Sequence, residues 1–194
     1  MLTLRRPTPE AIRDFLARER ERPFSYPAVG ATRPGEAPPP GFVFDRHRVR
    51  LGAGPETYAR ARAALRRWEM FRLGWVELCW PTTPVEEGAT VAVLIRRLGV
   101  HALNAARIVY VVEETGGPVE RLAFAYGTLP EHVERGEERF EVEWRRGGDG
   151  SVWYDVRAFS RPHHPVAWAA YPWVRLQQRR FARDSLAAMR RAVG

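Results

Sequence analysis

The feature that most restricts the fold is an alternation of large apolar and polar side chains that recurs in six segments. The segments are residues 75–80, 89–96, 107–113, 120–127, 137–145 and 151–159. A period of two places successive side chains on opposite faces of a β-strand. Proline and glycine turns separate the segments, and the glycine-rich turn at residues 147–150 indicates the clearest hairpin. The pattern therefore predicts an antiparallel sheet with one apolar face.

Helical spacing flanks this run of strands on both sides. A strand at residues 42–51 precedes a helix that opens at Gly54 and Pro55, and we expect that helix to end at Gly74. A longer helix, residues 173–193, carries apolar side chains on one face and an arc of arginines beside it. The order strand, helix, six strands and long helix is that of helix-grip domains. It predicts an α+β fold in which a curved antiparallel sheet of about six to seven strands wraps around the C-terminal helix.

Residues 1–40 differ in composition from the rest of the chain. Thr8, Pro9 and Glu10 are an N-cap, a first-turn proline and a first-turn acid, which predict a short helix. Residues 23–41 are rich in proline, glycine and alanine, so we expect a connector that is ordered only where it packs on the domain, through Phe24 and Tyr26. We divide the chain into an N-terminal helix and arm, residues 1–40, and a helix-grip-like domain, residues 41–194.

Charge and cysteine content exclude several kinds of chemistry. All 31 basic residues are arginine, so a lysine Schiff base and the lysine of a phosphate-binding loop are excluded. The single cysteine, Cys79, excludes an intramolecular disulfide and a multi-cysteine metal site. Together with an N-terminus that lacks an apolar leader, it predicts a cytoplasmic protein. No stretch is apolar enough for stable membrane insertion.

Ordered motifs are spread along the range of residues 41–193. They are WEMFRLGW at 68–75, RIVYV at 107–111, FAYGTLP at 124–130, His132, GEERF at 136–140, VWYDVRAFSRP at 152–162 and SLAAMRR at 185–191. Together they resemble an uncharacterised family of bacteria and plants, catalogued as a domain of unknown function and numbered nineteen-ninety. That family is similar to the START and Bet v 1-like (SRPBCC) helix-grip group. The resemblance implies a cavity for a small hydrophobic or amphipathic molecule, and it carries over no catalytic residue.

One carboxylate interrupts the apolar face of the segment at 137–145. Glu138 shares that face with Phe140, Val142 and Trp144, whereas we interpret residues 137, 139, 141 and 143 as the solvent-facing side. Glu138 has two interpretations. It reaches water or an arginine at the strand end, or it is an acid at the mouth of a cavity, with a raised pKa, that anchors a ligand or moves a proton.

Three further candidates lie close to Glu138 in the predicted sheet. If the large residues of the segment at 120–127 point inward, the hydroxyl of Tyr126 needs a polar partner at one end of the cavity. Thr128 and His132 follow it in the same loop. The alternative is that Thr128 only builds the turn and that His132 is a surface histidine.

The remaining candidates are Arg107, Trp80 and Tyr154. Arg107 begins a strand and is placed either to hold a carboxylate or phosphate in the cavity or to pair with Glu138 or Glu113. Trp80 and Tyr154 are amphipathic rings that serve either as core or as a ligand platform.

These residues predict a binder of a small apolar or amphipathic molecule that uses no cofactor. One alternative is an enzyme that uses the same cavity with Glu138 or His132 as general acid or base. Another is a nucleic-acid-binding protein that uses the arginine-rich final helix. A metal site is disfavoured, because the acids near His132 lie on a loop and on opposite faces of a strand. The oligomeric state stays open.

Overall fold

The computed structural model describes residues 1–97, 99–163 and 171–194. Within these ranges the chain forms three α-helices and eight strands. The helices are α1 (Pro9–Arg20), α2 (Pro55–Arg66) and α3 (Tyr171–Val193). The strands are β1 (Leu2–Thr3), β2 (Val43–Ala53), β3 (Val76–Leu78), β4 (Thr90–Arg97), β5 (Val100–Glu114), β6 (Glu120–Thr128), β7 (Glu134–Trp144) and β8 (Ser151–Pro162). The predicted α+β class, with six strands between one strand and a long helix, is confirmed.

The strands form one antiparallel sheet in the order β2-β8-β7-β6-β5-β4-β3. Strands β3 to β8 follow one another as a meander, and β2 joins the free edge of β8. The short β1 pairs with the start of β5. Both α2 and α3 contact the concave face, so the sheet curves around the C-terminal helix as expected.

Both faces of the sheet are covered. On the concave side, α2 and α3 bury a core that includes Leu65, Phe124, Phe140 and Met189. On the convex side, α1 packs its apolar residues against β4 and β5 in a second cluster that includes Phe15, Leu94 and Leu103. The helix α1 begins where predicted, with the Thr8 hydroxyl accepting a hydrogen bond from the backbone N–H of Ala11 at 3.2 Å.

The second helix is shorter than its sequence period predicts. It ends at Arg66 rather than at Gly74, because Trp68 adopts a left-handed backbone conformation with φ at 57°. The Trp68 side chain is buried and its indole N–H donates to the carbonyl of Thr83 at 2.9 Å. A single 3₁₀ turn, Glu69–Phe71, then directs Phe71 into the core. Tertiary packing thus overrides helix propensity at this point.

Strand β5 is longer than predicted and contains an irregularity. It begins at Val100, so Asn104 is buried within the strand rather than in a turn. The register with β6 shifts between Ile108 and Tyr110. A bulge of this kind breaks the alternation of faces. Ile108 consequently joins the concave core, whereas Tyr110 lies on the convex side, where its hydroxyl is 2.8 Å from that of Thr32.

The arm between α1 and β2 covers the convex face of β6 and β7. The carboxylate of Glu137 accepts hydrogen bonds from the Tyr26 hydroxyl and the Gly30 N–H, both at 2.7 Å, and from the N–H and hydroxyl of Thr32. Glu137 is 2% exposed, so the expectation of a solvent-facing side on this strand is corrected. The Tyr26 ring lies directly over Gly127, where an added Cβ would approach the tyrosine hydroxyl to 2.2 Å. The domain boundary after residue 40 stays a prediction.

Candidate functional site

A cavity of about 660 Å³ lies between the concave face of the sheet and the first half of α3. Most of its wall is apolar. The apolar lining includes Phe71, Val93, Ile95, Val156, Val174 and Phe181. The cavity lies beyond the point where α2 gives way to the 3₁₀ turn at Glu69–Phe71, and α3 lines it with residues that include Val174, Phe181 and Ala182.

Tyr126 and Glu138 form the polar pair at the inner end of the cavity. They are directly opposite each other on β6 and β7, and the tyrosine hydroxyl donates to the Glu138 Oε2 at 2.8 Å. The next inward-facing residue of β7, Phe140, belongs to the packed core. Burial raises the pKa of Glu138 to about 8, and the neighbouring Glu134 and Asp45 act in the same direction against the hydrogen bond from Tyr126. Glu138 therefore holds its proton to near-neutral pH.

Glu134 is a second acid on the same face of β7. It lines the cavity and accepts a hydrogen bond from the side-chain amide of Gln178 on α3, which also donates to the Ser160 hydroxyl at 2.9 Å. Burial raises the pKa of Glu134 to about 7, although Gln178 and the nearby Arg175 oppose the shift. Glu134 is one of the acids near His132 that the sequence pattern disfavours as metal ligands.

Asp45 and Arg175 hold α3 to the first long strand. The guanidinium of Arg175 bonds both oxygens of the Asp45 carboxylate, at 2.6 and 2.7 Å. These hydrogen bonds keep the pKa of Asp45 below its usual range. Asp45 also lines the cavity, so its charge is neutralised within the wall of the site.

Thr128 and His132 also line the cavity. The Thr128 hydroxyl accepts from the backbone N–H of Gly136 at 2.9 Å and is 2.6 Å from the hydroxyl of Ser25, so it mainly secures the turn and the arm. The Nδ1 of His132 accepts from the backbone N–H of Glu134 at 3.0 Å. Burial lowers the pKa of His132 to about 4, so its ring is neutral at physiological pH.

Three other candidates lie away from the cavity, and their placement corrects the expectation that they line it. The bulge in β5 turns Arg107 to the convex side, where its guanidinium donates to the carbonyls of Arg20 and Arg22 at 2.9 and 2.6 Å. Trp80 packs beside the convex cluster. Tyr154 is fully buried in the core, with its hydroxyl 2.9 Å from that of Ser185 on α3.

Several arginines of α3 already have partners within the protein. Arg175 bonds Asp45, and Arg180 and Arg183 bond Asp184. These contacts reduce the positive surface that the nucleic-acid alternative requires, and they leave that alternative untested.

Two further features are absent from the described part of the chain. Residues 1–97, 99–163 and 171–194 contain no group of three acidic, histidine or cysteine side chains arranged to hold a metal ion. In the same ranges, no helix combines the length and the apolar character that crossing a bilayer requires.

Comparison with known proteins gives relatives that cover the whole chain. A UPF0548 protein of Deinococcus radiodurans is 40% identical over 207 residues, which cover 100% of both chains. A UPF0548 protein of Dictyostelium discoideum is 34% identical over 209 residues, which cover 100% of this chain and 96% of its own.

Similar solved structures have much lower sequence identity. Ara h 8.0201 is 7% identical, with a TM-score of 0.45 over 77% of this chain and 98% of its own. Human STARD10 is 11% identical, with a TM-score of 0.37 over 94% of this chain and 81% of its own. Residues 25–188, which contain every strand of the meander and most of α3, match the family described as "Domain of unknown function (DUF1990)". The chain belongs to this family.

Proposed function

We propose that this protein binds a small amphipathic molecule in the cavity between the sheet and α3. The apolar body of the ligand would contact Phe71, Val156 and Phe181, and its polar end would meet Tyr126 and Glu138. The volume of the cavity carries this proposal, because about 660 Å³ lies within the range of about 300–1,000 Å³ that is typical of small-molecule sites.

Binding of the neutral fluorescent dye Nile red tests the proposal. We expect saturable fluorescence enhancement by the wild-type protein, and its loss in Ala158→Trp, which places an indole in the cavity wall. Ala37→Trp is the matched control, because Ala37 is exposed on the arm. Arg107→Ala should retain the wild-type affinity, since Arg107 contacts the arm rather than the cavity.

A second variant guards against misfolding of Ala158→Trp. Phe181→Ala enlarges the cavity and should keep or strengthen dye binding, provided that circular dichroism shows native secondary structure. Equal dye binding by the wild type and a folded Ala158→Trp would refute the proposal. Native mass spectrometry of protein from its own host would then identify any molecule bound elsewhere.

An enzyme that uses the same cavity is the second candidate, and the raised pKa of Glu138 favours it. A carboxyl that is protonated near neutral pH and bonded to a tyrosine hydroxyl is suited to proton transfer. The neutral, hydrogen-bonded His132 is less suited to that role. Conversion of a co-purified molecule by the wild type, abolished in Glu138→Gln, would identify an enzyme, whereas a change in affinity alone would identify a binder.

A further inference from the structure

The inner end of the cavity contains two acids with unused hydrogen-bonding capacity. Glu134 and Glu138 are alternate residues on the concave face of β7, separated by Gly136, and both line the cavity. Each carboxyl accepts one hydrogen bond, from Gln178 and from Tyr126 respectively. No described residue donates to the second oxygen of either carboxyl. Two carboxyl oxygens, which are acceptors when the acids are ionised, therefore face the space that a ligand would occupy.

Neither of these two acids has a cation bonded to it in the described part of the chain. Among residues 1–97, 99–163 and 171–194, neither Glu134 nor Glu138 has an ion pair within 4.0 Å. Arg175 lowers the pKa of Glu134 only from a distance, because its guanidinium bonds both oxygens of Asp45. The other groups that face Glu138 are the hydroxyls of Tyr126 and Tyr154 and the carboxylate of Asp45, and none of them is positive. An ionised pair at this place would lack a directly bonded counter-charge among these residues.

Aromatic rings surround the same space. Phe71 contacts both Tyr126 and Phe181, with ring centroids 6.0 and 5.5 Å apart, and Trp75 also lines the cavity. The negative face of an aromatic ring attracts a desolvated cation. The aromatic walls and the two acids thus both favour a positively charged group.

The cavity also has two arginines in its wall, and their position matters for this inference. Arg97 is the last residue of β4, and Arg179 is an exposed residue of α3. Both lie nearer the open end of the cavity than Tyr126 and Glu138, which adjoin the packed core. An anionic group would therefore meet the two arginines only at that outer end, whereas His47, which also lines the cavity, lies beside Asp45.

We propose that the ligand carries a protonated amine, which donates hydrogen bonds to the free oxygens of Glu134 and Glu138 while its apolar body lies along Phe71 and Phe181. This inference rests on the proposed function and specifies its ligand class. An ammonium group supplies several N–H donors and the missing positive charge in one group. An alcohol supplies one donor and no charge, and a carboxylate would repel both acids.

Proton release is a direct consequence of this mode of binding. At neutral pH a large share of the two carboxyls is protonated, because burial raises the pKa of each. An entering ammonium group favours the ionised forms, so each carboxyl that ionises releases one proton to solvent. Affinity for the amine should therefore rise with pH as the acids ionise, up to the pKa of the amine itself, about 10.

Competition by three ligands of equal chain length tests the inference. Decylamine, decanol and decanoic acid would each displace Nile red from the wild-type protein at pH 6 and pH 8. We expect decylamine to compete at least about tenfold more strongly than decanol at pH 8, and the ratio to shrink at pH 6. Calorimetry in two buffers of different ionisation enthalpy should show proton release for decylamine only.

Substitutions of the two acids test whether they cause the preference for decylamine. Glu138→Gln should weaken competition by decylamine about tenfold and leave competition by decanol unchanged. Glu134→Gln should act in the same direction, and Glu36→Gln, at an exposed position on the arm, serves as the control for lost charge. Stronger competition by decanol or decanoic acid in the wild type would overturn the amine inference and leave the proposed function intact. Failure of Nile red and of all three ligands to bind would overturn the proposed function itself.

Discussion

Glu137 and Glu138 are consecutive acids on opposite faces of β7, and they have opposite surroundings. On the convex side, Glu137 is 2% exposed and its carboxylate accepts four hydrogen bonds from the arm. On the concave side, Glu138 is half-buried and accepts one hydrogen bond, from Tyr126. The number of donors separates an acid that stabilises the fold from an acid that keeps one oxygen free of described donors.

The largest effect is expected when the convex acid is replaced. Glu137→Gln removes the charge and introduces an amide that competes with the donors of Gly30 and Thr32, so we expect a loss of about 3 kcal/mol or more in the free energy of unfolding. Urea denaturation measures it. Glu138→Gln at pH 6 is the matched control and should lose less than about 1 kcal/mol. Equal losses of unfolding free energy for Glu137→Gln and Glu138→Gln would contradict the distinction between the two faces.

The concave acid should instead make stability depend on pH. Its pKa is about 8 in the folded protein, above its value when unfolded, so the folded state binds more protons at intermediate pH. The free energy of unfolding should therefore fall as pH rises, by about 2 kcal/mol between pH 6.5 and pH 8. His132, whose pKa is lowered to about 4, acts in the opposite sense mainly below pH 6.5.

Urea denaturation at several pH values checks this dependence. Glu138→Gln should remove most of the fall in unfolding free energy with pH, because the amide does not titrate. The part of the fall that Glu134 contributes should remain. Glu137→Gln, although less stable throughout, should keep the wild-type slope. A wild-type stability that is constant or rises between pH 6.5 and pH 8 would contradict the assigned environment of Glu138.

The smallest effects are expected from the two tyrosine hydroxyls. Tyr26→Phe removes one of the four donors to the Glu137 carboxylate and should cost about 1.5–2 kcal/mol. Tyr126→Phe removes the donor to a carboxyl that is mostly protonated at pH 6, and should cost about 1 kcal/mol or less. Only Tyr126→Phe should change the affinity for Nile red or decylamine. A larger loss of unfolding free energy for Tyr126→Phe than for Tyr26→Phe at pH 6 would contradict this comparison.

Local periodicity was sufficient to identify the inner polar pair. The alternation in β6 and β7 placed Tyr126 and Glu138 on the concave face, and the structure pairs them directly. The order of helices and strands followed from the same periods. These properties depend on neighbours in sequence, which is why a single chain reveals them.

Other features of the site depend on long-range contacts and backbone irregularities, which local periodicity does not predict. Arg175 meets Asp45 only because α3 crosses β2, and no local pattern reports that crossing. Arg107 lies on the other face because of the bulge in β5. The predicted strand begins at residue 137 and so leaves out Glu134 and Gly136, which belong to β7. The strand continues through Gly136 because this residue lacks a Cβ, which would lie 1.9 Å from the carbonyl oxygen of Phe159.

The pairing of β2 with β8 has a consequence for how the chain folds. Val43 pairs with Ser160, whereas each strand of the meander pairs with its neighbour in sequence. Closing so long a loop carries an entropic penalty that hairpins avoid, and contacts of high sequence separation slow folding. We expect β2 to dock late in folding. Asp45, carried by that strand, then reaches Arg175 only in this last step, so the cavity would acquire its final wall after the rest of the sheet has formed.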